Sequence, residues 1–149
     1  MTSPLKRVSA ISLFVDDLAA AKAFYRSVFD AEPVFEDEVS AALEFDNLIV
    51  NLLCVGSAGE IIEPHAPGGR DAGSRFQFSV WVEDVDAVCR RLRERGVALL
   101  AGPKDRPWGM RTANFVDPAG HSWEVAQKTG TRATGAAISP SPRIPAPPS

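Results

Sequence analysis

The sequence contains few of the side chains that form disulfides or zinc sites. It has two cysteines, Cys54 in an apolar run and Cys89 in a helical pattern. Their spacing matches no zinc or redox motif, which predicts two reduced, buried thiols. No uninterrupted apolar segment follows Lys6 and Arg7, so the N-terminus does not resemble a secretory signal. Because disulfides persist in oxidising compartments, this cysteine usage favours a cytoplasmic protein.

Long apolar runs and an excess of basic residues are also absent. No stretch reaches the roughly 20 apolar residues that a membrane-spanning helix requires. The net charge is -3, which argues against a nucleic-acid surface and against electrostatic attraction to membranes. We therefore expect neither nucleic acid nor a membrane as a partner. The arginines within residues 90–95 are interpreted as the solvated side of one helix.

Composition separates a folded domain from its flanks. Residues 128–149 are rich in Pro, Ala, Ser, Thr and Gly and are predicted to form a disordered tail, because such a segment buries too little apolar surface to offset its ordering entropy. Residues 1–6 are predicted to be a flexible N-terminus. This leaves residues 7–127 as the domain, which is long enough to bury a core without a metal or a disulfide.

The domain contains a duplication. The segment Ile11-Ser-Leu-Phe-Val-Asp-Asp-Leu18 matches Phe78-Ser-Val-Trp-Val-Glu-Asp-Val85 after a shift of 67 positions. Each segment is typical of a strand that ends in an acidic pair and enters a helix. Asp17 and Asp84 are predicted to cap those helices, since a carboxylate accepts the free N–H groups of the first turn. A period this long indicates a duplicated supersecondary unit.

The two halves continue in the same order. Apolar residues recur at helical spacing after each acidic pair, and Gly96 stands where a left-handed C-cap is expected. Candidate strands follow at 33–38, 40–45 and 48–55 in the first half, and at 98–101, 111–116 and 122–127 in the second. The pattern predicts an α+β fold of two tandem βαβββ modules, residues 7–56 and 75–127, joined by a loop at 57–74.

Alternation along the strands predicts which side chains share a face. Phe76 and Phe78 are expected to pack on the helix, with Gln77, Ser79 and Trp81 on the opposite face. In the same way, Phe14 and Glu124 are expected on the face away from the helices of their modules. A face that mixes polar and aromatic side chains is either solvent surface or a pocket lining, and the aromatic residues favour the pocket.

Two motifs resemble the vicinal-oxygen-chelate superfamily, which includes glyoxalases, bleomycin-resistance proteins and dioxygenases. One is Phe-Val-Asp-Asp-Leu (14–18) followed by Ala-Phe-Tyr (23–25), and the more specific one is the hairpin Phe-Val-Asp-Pro-Ala-Gly-His-Ser-Trp-Glu (115–124). The resemblance covers residues 7–127. It implies that the two modules form an open, curved mixed sheet, often completed by a second subunit, so a homodimer is expected.

Enzymes of this superfamily usually hold one divalent metal with His, Gln or Glu side chains. The matching positions here are Ala10, Asn51, Gln77 and Glu124. Ala10 cannot ligate a metal, and Glu124 is the only carboxylate. Zn²⁺, Fe²⁺ and Ni²⁺ sites use imidazole, thiolate or several carboxylates, and Mg²⁺ and Ca²⁺ also prefer more negative charge. A divalent metal is therefore disfavoured, and no cofactor is expected.

The two histidines do not supply the missing ligands. His65 lies in a Pro- and Gly-rich loop outside every predicted strand. His121 precedes Glu124 by three residues, so its side chain should leave the opposite face of that strand. We interpret His65 as an exposed loop residue and His121 as a turn or packing residue.

The loss of metal ligands matches the antibiotic-binding branch of the superfamily. The loop from Gly102 to Arg111 resembles the loop that borders the cavity in that branch. Trp108 is either a stacking surface for a planar ligand or a hydrophobic plug, and Arg111 is either a rim donor or a surface residue. The resemblance implies a metal-independent small-molecule binder of the bleomycin-resistance type. The predicted ligand contacts are Phe14, Asn51, Gln77, Ser79, Trp81, Trp108, Arg111 and Glu124.

Whether the chain is an enzyme stays open at this point. The alternative is a divergent lyase, isomerase or extradiol-type dioxygenase in which Glu124, helped by Gln77, is the general base or a remaining metal ligand. A third class, a purely structural or interaction module, is less favoured. Gln77, Ser79 and Trp81 are unusual side chains for a dry protein interface.

Overall fold

A computed structural model describes residues 3–129 of the chain. Residues 130–149, most of the predicted tail, lie outside the described residues. The chain divides into two compact units. The first comprises the residues up to Gly73 together with Asp117–His121. The second comprises Ser74–Val116 and the residues from Ser122 onward.

The first unit contains a four-stranded mixed sheet. Its elements are β1 (Ala10–Val15), α1 (Leu18–Phe29), β2 (Pro33–Glu36), β3 (Ser40–Glu44), β4 (Ile49–Cys54) and the short α2 (Val55–Ala58). The strand order is β1-β4-β3-β2, with β1 parallel to β4 and the other pairs antiparallel. Helix α2 begins at Val55, which the sequence had assigned to a strand.

The second unit repeats this topology. Its elements are β5 (Phe78–Trp81), α3 (Val85–Glu94), β6 (Ala101–Arg106), β7 (Met110–Val116) and β8 (Ser122–Lys128). The order is β5-β8-β7-β6, again with the first pair parallel. The predicted α+β fold of two βαβββ modules is confirmed, and its strands form one four-stranded sheet in each unit. Strand β8 includes Lys128, the first residue of the predicted tail.

The helix ends follow the capping chemistry expected from the sequence. The Asp17 carboxylate accepts a hydrogen bond from the N–H of Ala20, and that of Asp84 accepts one from the N–H of Ala87, both at 3.0 Å. Gly96 follows α3 with φ +82°, which confirms the predicted left-handed cap. Within residues 3–129, no helix has the length and apolar character needed to cross a membrane.

Apolar residues fill the space between each sheet and its helix. In β1, Leu13 and Val15 are buried whereas Phe14 is only half-buried, as the alternation predicts. Both cysteines are free thiols; Cys89 is buried and Cys54 half-buried. Burial raises the pKa of the Cys89 thiol, so it remains protonated at neutral pH.

The segment from Gly102 to Arg111 is not the loop expected from its two prolines. It forms a β-hairpin, in which β6 and β7 are joined by a tight turn at 107–109. Strand β6 is at the edge of its sheet, where a proline without an N–H is tolerated. The ladder shifts register between Ala101 and Lys104, next to Pro103. The predicted strand at 98–101 therefore overlaps β6 only at Ala101.

Candidate ligand-binding site

The second unit contains a cavity of about 710 Å³, within the usual size range of small-molecule sites. We call it the Glu124 pocket. Its lining consists of Ser74, Arg75, Phe76, Gln77, Ser79, Arg106, Trp108, Thr112, Asn114, Ser122 and Glu124. All of these residues belong to the second unit.

The floor of the Glu124 pocket is one face of the sheet. On this face, β7 contributes Thr112 and Asn114, and β8 contributes Ser122 and Glu124. Asn114 and Glu124 are direct cross-strand partners, so their side chains stand next to each other on the same face. The floor is therefore polar although it lies within a largely apolar unit.

Glu124 is the only acidic residue that lines the pocket, and its side chain is largely buried. The residue is 8% exposed, and its Oε1 accepts a hydrogen bond from the Ser79 hydroxyl at 2.7 Å. No lysine or arginine within residues 3–129 forms an ion pair with it. A buried carboxylate without a counterion is unfavourable unless a partner compensates it.

The wall of the pocket next to β5 is also hydrogen-bonded. The amide nitrogen of Gln77 donates to the hydroxyl of Ser122 at 2.9 Å. This bond holds the exposed Gln77 side chain at the lining of the cavity. Phe76 precedes it, is 50% exposed, and its ring lies edge-on to that of Phe78.

Trp108 and Arg106 form the wall contributed by the β6–β7 hairpin. The guanidinium carbon of Arg106 lies 5.7 Å from the centre of the Trp108 ring, within the range of a cation–π contact. The Nε of Arg106 donates to the hydroxyl of Thr112 at 2.8 Å. The two side chains thus hold each other against the floor.

Two polar atoms of the pocket lack hydrogen-bond partners among the described residues. They are the indole Nε1 of Trp108 and the Oδ1 of Asn114, both shielded from solvent. An unpaired buried polar atom costs about 1–3 kcal/mol, and native proteins contain few of them.

The structure brings together half of the residues predicted to contact a ligand. Gln77, Ser79, Trp108 and Glu124 line the Glu124 pocket, whereas Trp81 and Arg111 are not among its lining residues. Phe14 and Asn51 belong to the first unit. Their roles in ligand binding, like that of Trp81, stay predictions.

Arg111 lies on the opposite face of β7 from Thr112 and is not among the residues that line the Glu124 pocket, so its role as a rim donor stays a prediction. Its Nε and one terminal nitrogen each lie 2.9 Å from the two carboxylate oxygens of Asp86 on α3. A weaker contact at 3.3 Å reaches Asp105. The hydrogen bond from Arg111 lowers the pKa of Asp86. Arg106, on the neighbouring strand, is the guanidinium that borders the pocket.

The sequence analysis did not identify four of the residues that line the Glu124 pocket. Thr112 and Asn114 could have been found, because alternation in the predicted strand 111–116 and its hairpin pairing with 122–127 place them beside Glu124. Phe76 was assigned to the helix face, but β5 begins at Phe78 and the alternation does not extend before it. Arg106 was hidden by the prediction of a loop.

The first unit contains a counterpart of the Ser79–Glu124 pair. Ser12 and Asn51 are cross-strand partners in β1 and β4, as Ser79 and Glu124 are in β5 and β8. The Asn51 amide donates to the Ser12 hydroxyl at 3.3 Å. This register identifies Asn51 as the counterpart of Glu124, with an amide in place of the carboxylate.

These residues do not fit the divalent metal of related enzymes. Ala10 offers no donor atom, Gln77 offers only a neutral amide oxygen, and Glu124 is the single carboxylate among the four matching positions. Within residues 3–129, no group of three or more His, Cys, Asp and Glu side chains is arranged to hold a metal ion. The Nδ1 of His121 is instead 2.9 Å from Asp117, in the turn that the sequence predicted.

Comparison with known proteins agrees with the fold and with the motifs. The family model of the Glyoxalase/Bleomycin resistance protein/Dioxygenase superfamily matches residues 7–125. The uncharacterized protein Mb0911c of Mycobacterium bovis is 30% identical over 127 residues, covering 77% of this chain and 79% of the relative. Metallothiol transferase FosB of Bacillus licheniformis is 27% identical over 111 residues, covering 74% and 68%.

A solved structure shows the same fold at lower identity. The crystal structure of a glyoxalase/bleomycin resistance protein/dioxygenase from Nocardioides superposes with a TM-score of 0.78 at 23% identity, covering 90% of this chain and 91% of that chain. This likeness concerns the fold alone. Since the family model spans most of the chain, the protein belongs to the glyoxalase/bleomycin resistance/dioxygenase superfamily.

Proposed function

We propose that the Glu124 pocket binds a small organic ligand with a planar or aromatic part, without a metal, and that the protein sequesters it in the manner of bleomycin-resistance proteins. Proteins of this superfamily bind small molecules. The observation that carries the proposal is the buried Glu124 carboxylate, which has no ion-pair partner within residues 3–129 and borders a cavity of about 710 Å³.

Each wall of the pocket contributes a different interaction. The exposed ring of Phe76 and the indole of Trp108 offer planar apolar surface, and an aromatic pair is worth about 0.5–1.5 kcal/mol beyond its buried area. Glu124 accepts hydrogen bonds and neutralises a cationic group of the ligand. Gln77 and Ser79 are already oriented by hydrogen bonds and restrict the direction in which a ligand binds.

Binding is expected to need no divalent metal and to depend on Trp108. Purified protein is treated with EDTA and titrated with metal-free bleomycin and with S-hexylglutathione, and the melting temperature is followed, because a ligand stabilises the state that it binds. One of the two should raise the melting temperature equally with and without added Zn²⁺ or Mn²⁺. Trp108→Ala should weaken that binding about tenfold or more.

Ile61→Ala is the matched control, since Ile61 is 58% exposed in the first unit and its loss should leave the affinity unchanged. Elemental analysis completes the test. Stoichiometric Zn, Fe, Ni or Mn that disappears in Glu124→Gln would contradict a metal-free pocket. Equal affinities in Trp108→Ala and the parent protein would contradict binding at this site.

The second candidate is a divergent glyoxalase-like lyase, isomerase or dioxygenase with Glu124 as general base. It is favoured by the hydrogen bond from Ser79, which holds one oxygen of the buried carboxylate in place, and by the similarity to an enzyme, Metallothiol transferase FosB. Glu124→Gln separates the two candidates. Turnover lost with binding retained indicates catalysis, whereas a change in affinity alone indicates a binder.

The proposal includes a homodimer in the cytoplasm. Strand β2 is an edge strand of the first unit, and Val34 and Phe35 within it are each 59% exposed; open edges of this kind are commonly covered by a partner. The two free thiols support the cytoplasmic part of the proposal.

Light scattering at micromolar concentration should give twice the 16.0 kDa mass of the chain, and Phe35→Lys should shift the protein towards the monomer. Phe76→Lys is the control, because it places the same charge on an exposed phenylalanine of the other unit. A monomer in the unmodified protein would contradict this part of the proposal.

A further inference from the structure

Arg106 is not a solvated surface arginine. Its Nε donates to the hydroxyl of Thr112, which is 1% exposed, and its guanidinium lies over the Trp108 ring. One of its five N–H donors is used in this bond, which leaves the terminal nitrogens for another acceptor. The side chain is therefore fixed before any ligand arrives, so less entropy is lost when a partner binds it.

The charges along the pocket do not balance internally. Arg75 and Arg106 line the cavity with one carboxylate, Glu124. Among the described residues, neither arginine forms an ion pair with an acidic side chain. Arg111, on the other face of the sheet, has two aspartate partners. The arginines that face the cavity are thus left without the neutralisation that Arg111 receives.

We propose that the ligand of the Glu124 pocket is amphoteric: its oxyanion group binds the terminal nitrogens of Arg106, with Arg75 adding charge, and its ammonium or amidinium group binds Glu124. This inference rests on the proposed function and names the ligand class that the pocket selects. A planar guanidinium fork matches the two oxygens of a carboxylate or phosphonate.

The charged side chains of the pocket direct the two ends of the ligand to different positions. Glu124 repels an oxyanion and so directs it towards Arg106 and Arg75, while the arginines repel a cation and direct it towards the floor. The exposed Phe76 and the indole of Trp108 border the same cavity. A rigid aromatic ring with opposite charges at its two ends matches this arrangement.

The test uses four ring compounds that differ only in charge: 4-(aminomethyl)benzoate, 4-(aminomethyl)benzamide, 4-methylbenzoate and 4-methylbenzamide. Affinities are measured by NMR titration of the full chain, following the indole N–H signal of Trp108, which is assigned with Trp108→Phe. The zwitterion should bind tightest. Replacing its carboxylate by the carboxamide should weaken binding about tenfold or more, as expected for a charge-assisted hydrogen bond.

Variants assign each preference to a residue. In Arg106→Gln the preference for the benzoate over the benzamide should fall to the small part that Arg75 supplies, and Arg106→Lys should keep more of it, because it retains the charge without the fork. Arg75→Gln should reduce the preference less, about two- to fivefold, since Arg75 is exposed and screened by solvent. Arg90→Gln removes the same charge from the exposed side of α3 and should change nothing.

The outcomes separate this inference from the proposed function. A carboxylate preference that is undiminished in Arg106→Gln, with the melting temperature unchanged, overturns the assignment of Arg106. Binding that depends on Trp108 and on the ammonium group but not on the carboxylate overturns the amphoteric ligand and leaves the proposed function in place. If no compound shifts the Trp108 signal, both are contradicted. Arg75→Gln provides the same test should Arg106→Gln not fold.

Discussion

Replacing Asp117 by asparagine is expected to lower the free energy of unfolding by about 2–4 kcal/mol, because several donors in the first unit share this one carboxylate. Asp117 is 2% exposed. Its Oδ2 accepts from the hydroxyl of Tyr25 at 2.6 Å, and its Oδ1 accepts from the N–H groups of Ala119 and His121 at 3.0 and 2.8 Å. An asparagine retains one acceptor oxygen and turns an NH₂ group towards the remaining donors.

The same carboxylate makes stability depend on pH. Burial acts to raise the pKa of Asp117, but the hydrogen bonds from His121 and Tyr25 outweigh it, so the pKa lies below its ordinary value. Stability from a carboxyl with a lowered folded-state pKa is fully present above the unfolded-state pKa of about 3.9 and is lost as the pH falls through the folded-state pKa. The difference between the parent and Asp117→Asn should therefore shrink below about pH 4.

Urea denaturation between pH 2.5 and pH 7 measures both effects. Tyr25→Phe removes one donor and should cost about 1–2 kcal/mol. Asp46→Asn is the matched control, because Asp46 is exposed in a turn of the same unit and its replacement should change stability by less than about 0.5 kcal/mol. If Asp117→Asn unfolds at the same urea concentration as the parent protein, the turn satisfies these donors in another way.

The architecture was predictable because its signals are local or repeated. The duplicated segments at 11–18 and 78–85 set the two modules, and the aspartates at 17 and 84 begin the helices by capping chemistry within three residues. These features need no knowledge of tertiary packing. The superfamily motifs then identified the topology, which the four-stranded order of each sheet confirms.

The pocket was only partly predictable because its walls depend on where strands begin and how they pair. Alternation placed Ser79 correctly relative to Glu124, but it does not state at which residue a strand starts, and Phe76 was misassigned for that reason. Arg111 faces α3 because it alternates with Thr112 along β7, and Arg106 faces the pocket because it pairs with Met110, which is on the same face of β7 as Thr112.

Contacts between residues that are far apart in the sequence are the remaining feature that the sequence does not reveal. The hairpin turn at 117–120 was expected from its Asp-Pro-Ala-Gly composition. Its buried partner Tyr25 precedes Asp117 by 92 residues. Nothing in either segment alone indicates that the phenol and the carboxylate meet, so the strongest polar contact of the first unit becomes visible only in the structure.

Replacing Gly102 by alanine is expected to lower the free energy of unfolding by about 2–5 kcal/mol and to weaken binding in the Glu124 pocket. Gly102 has φ +87°, a conformation that costs other residues roughly 1–2 kcal/mol. A Cβ there would also overlap the carbonyl oxygen of Thr112 and lie 2.9 Å from the Cα of Ala113. Overpacking of this kind costs about 1–3 kcal/mol.

The overlap falls on the backbone of β7, so it cannot be relieved by rotating a side chain. Any relief moves Thr112, whose hydroxyl holds Arg106 against the pocket, and the expected loss of affinity follows from that displacement. Gly96→Ala is the matched control: Gly96 has φ +82°, and a Cβ there would meet no atom within 4 Å. The difference between the two variants, measured by urea denaturation, isolates the overlap from the cost of the positive φ. Equal losses in both would show that β7 yields without strain, in which case the affinity of Gly102→Ala should match that of the parent protein.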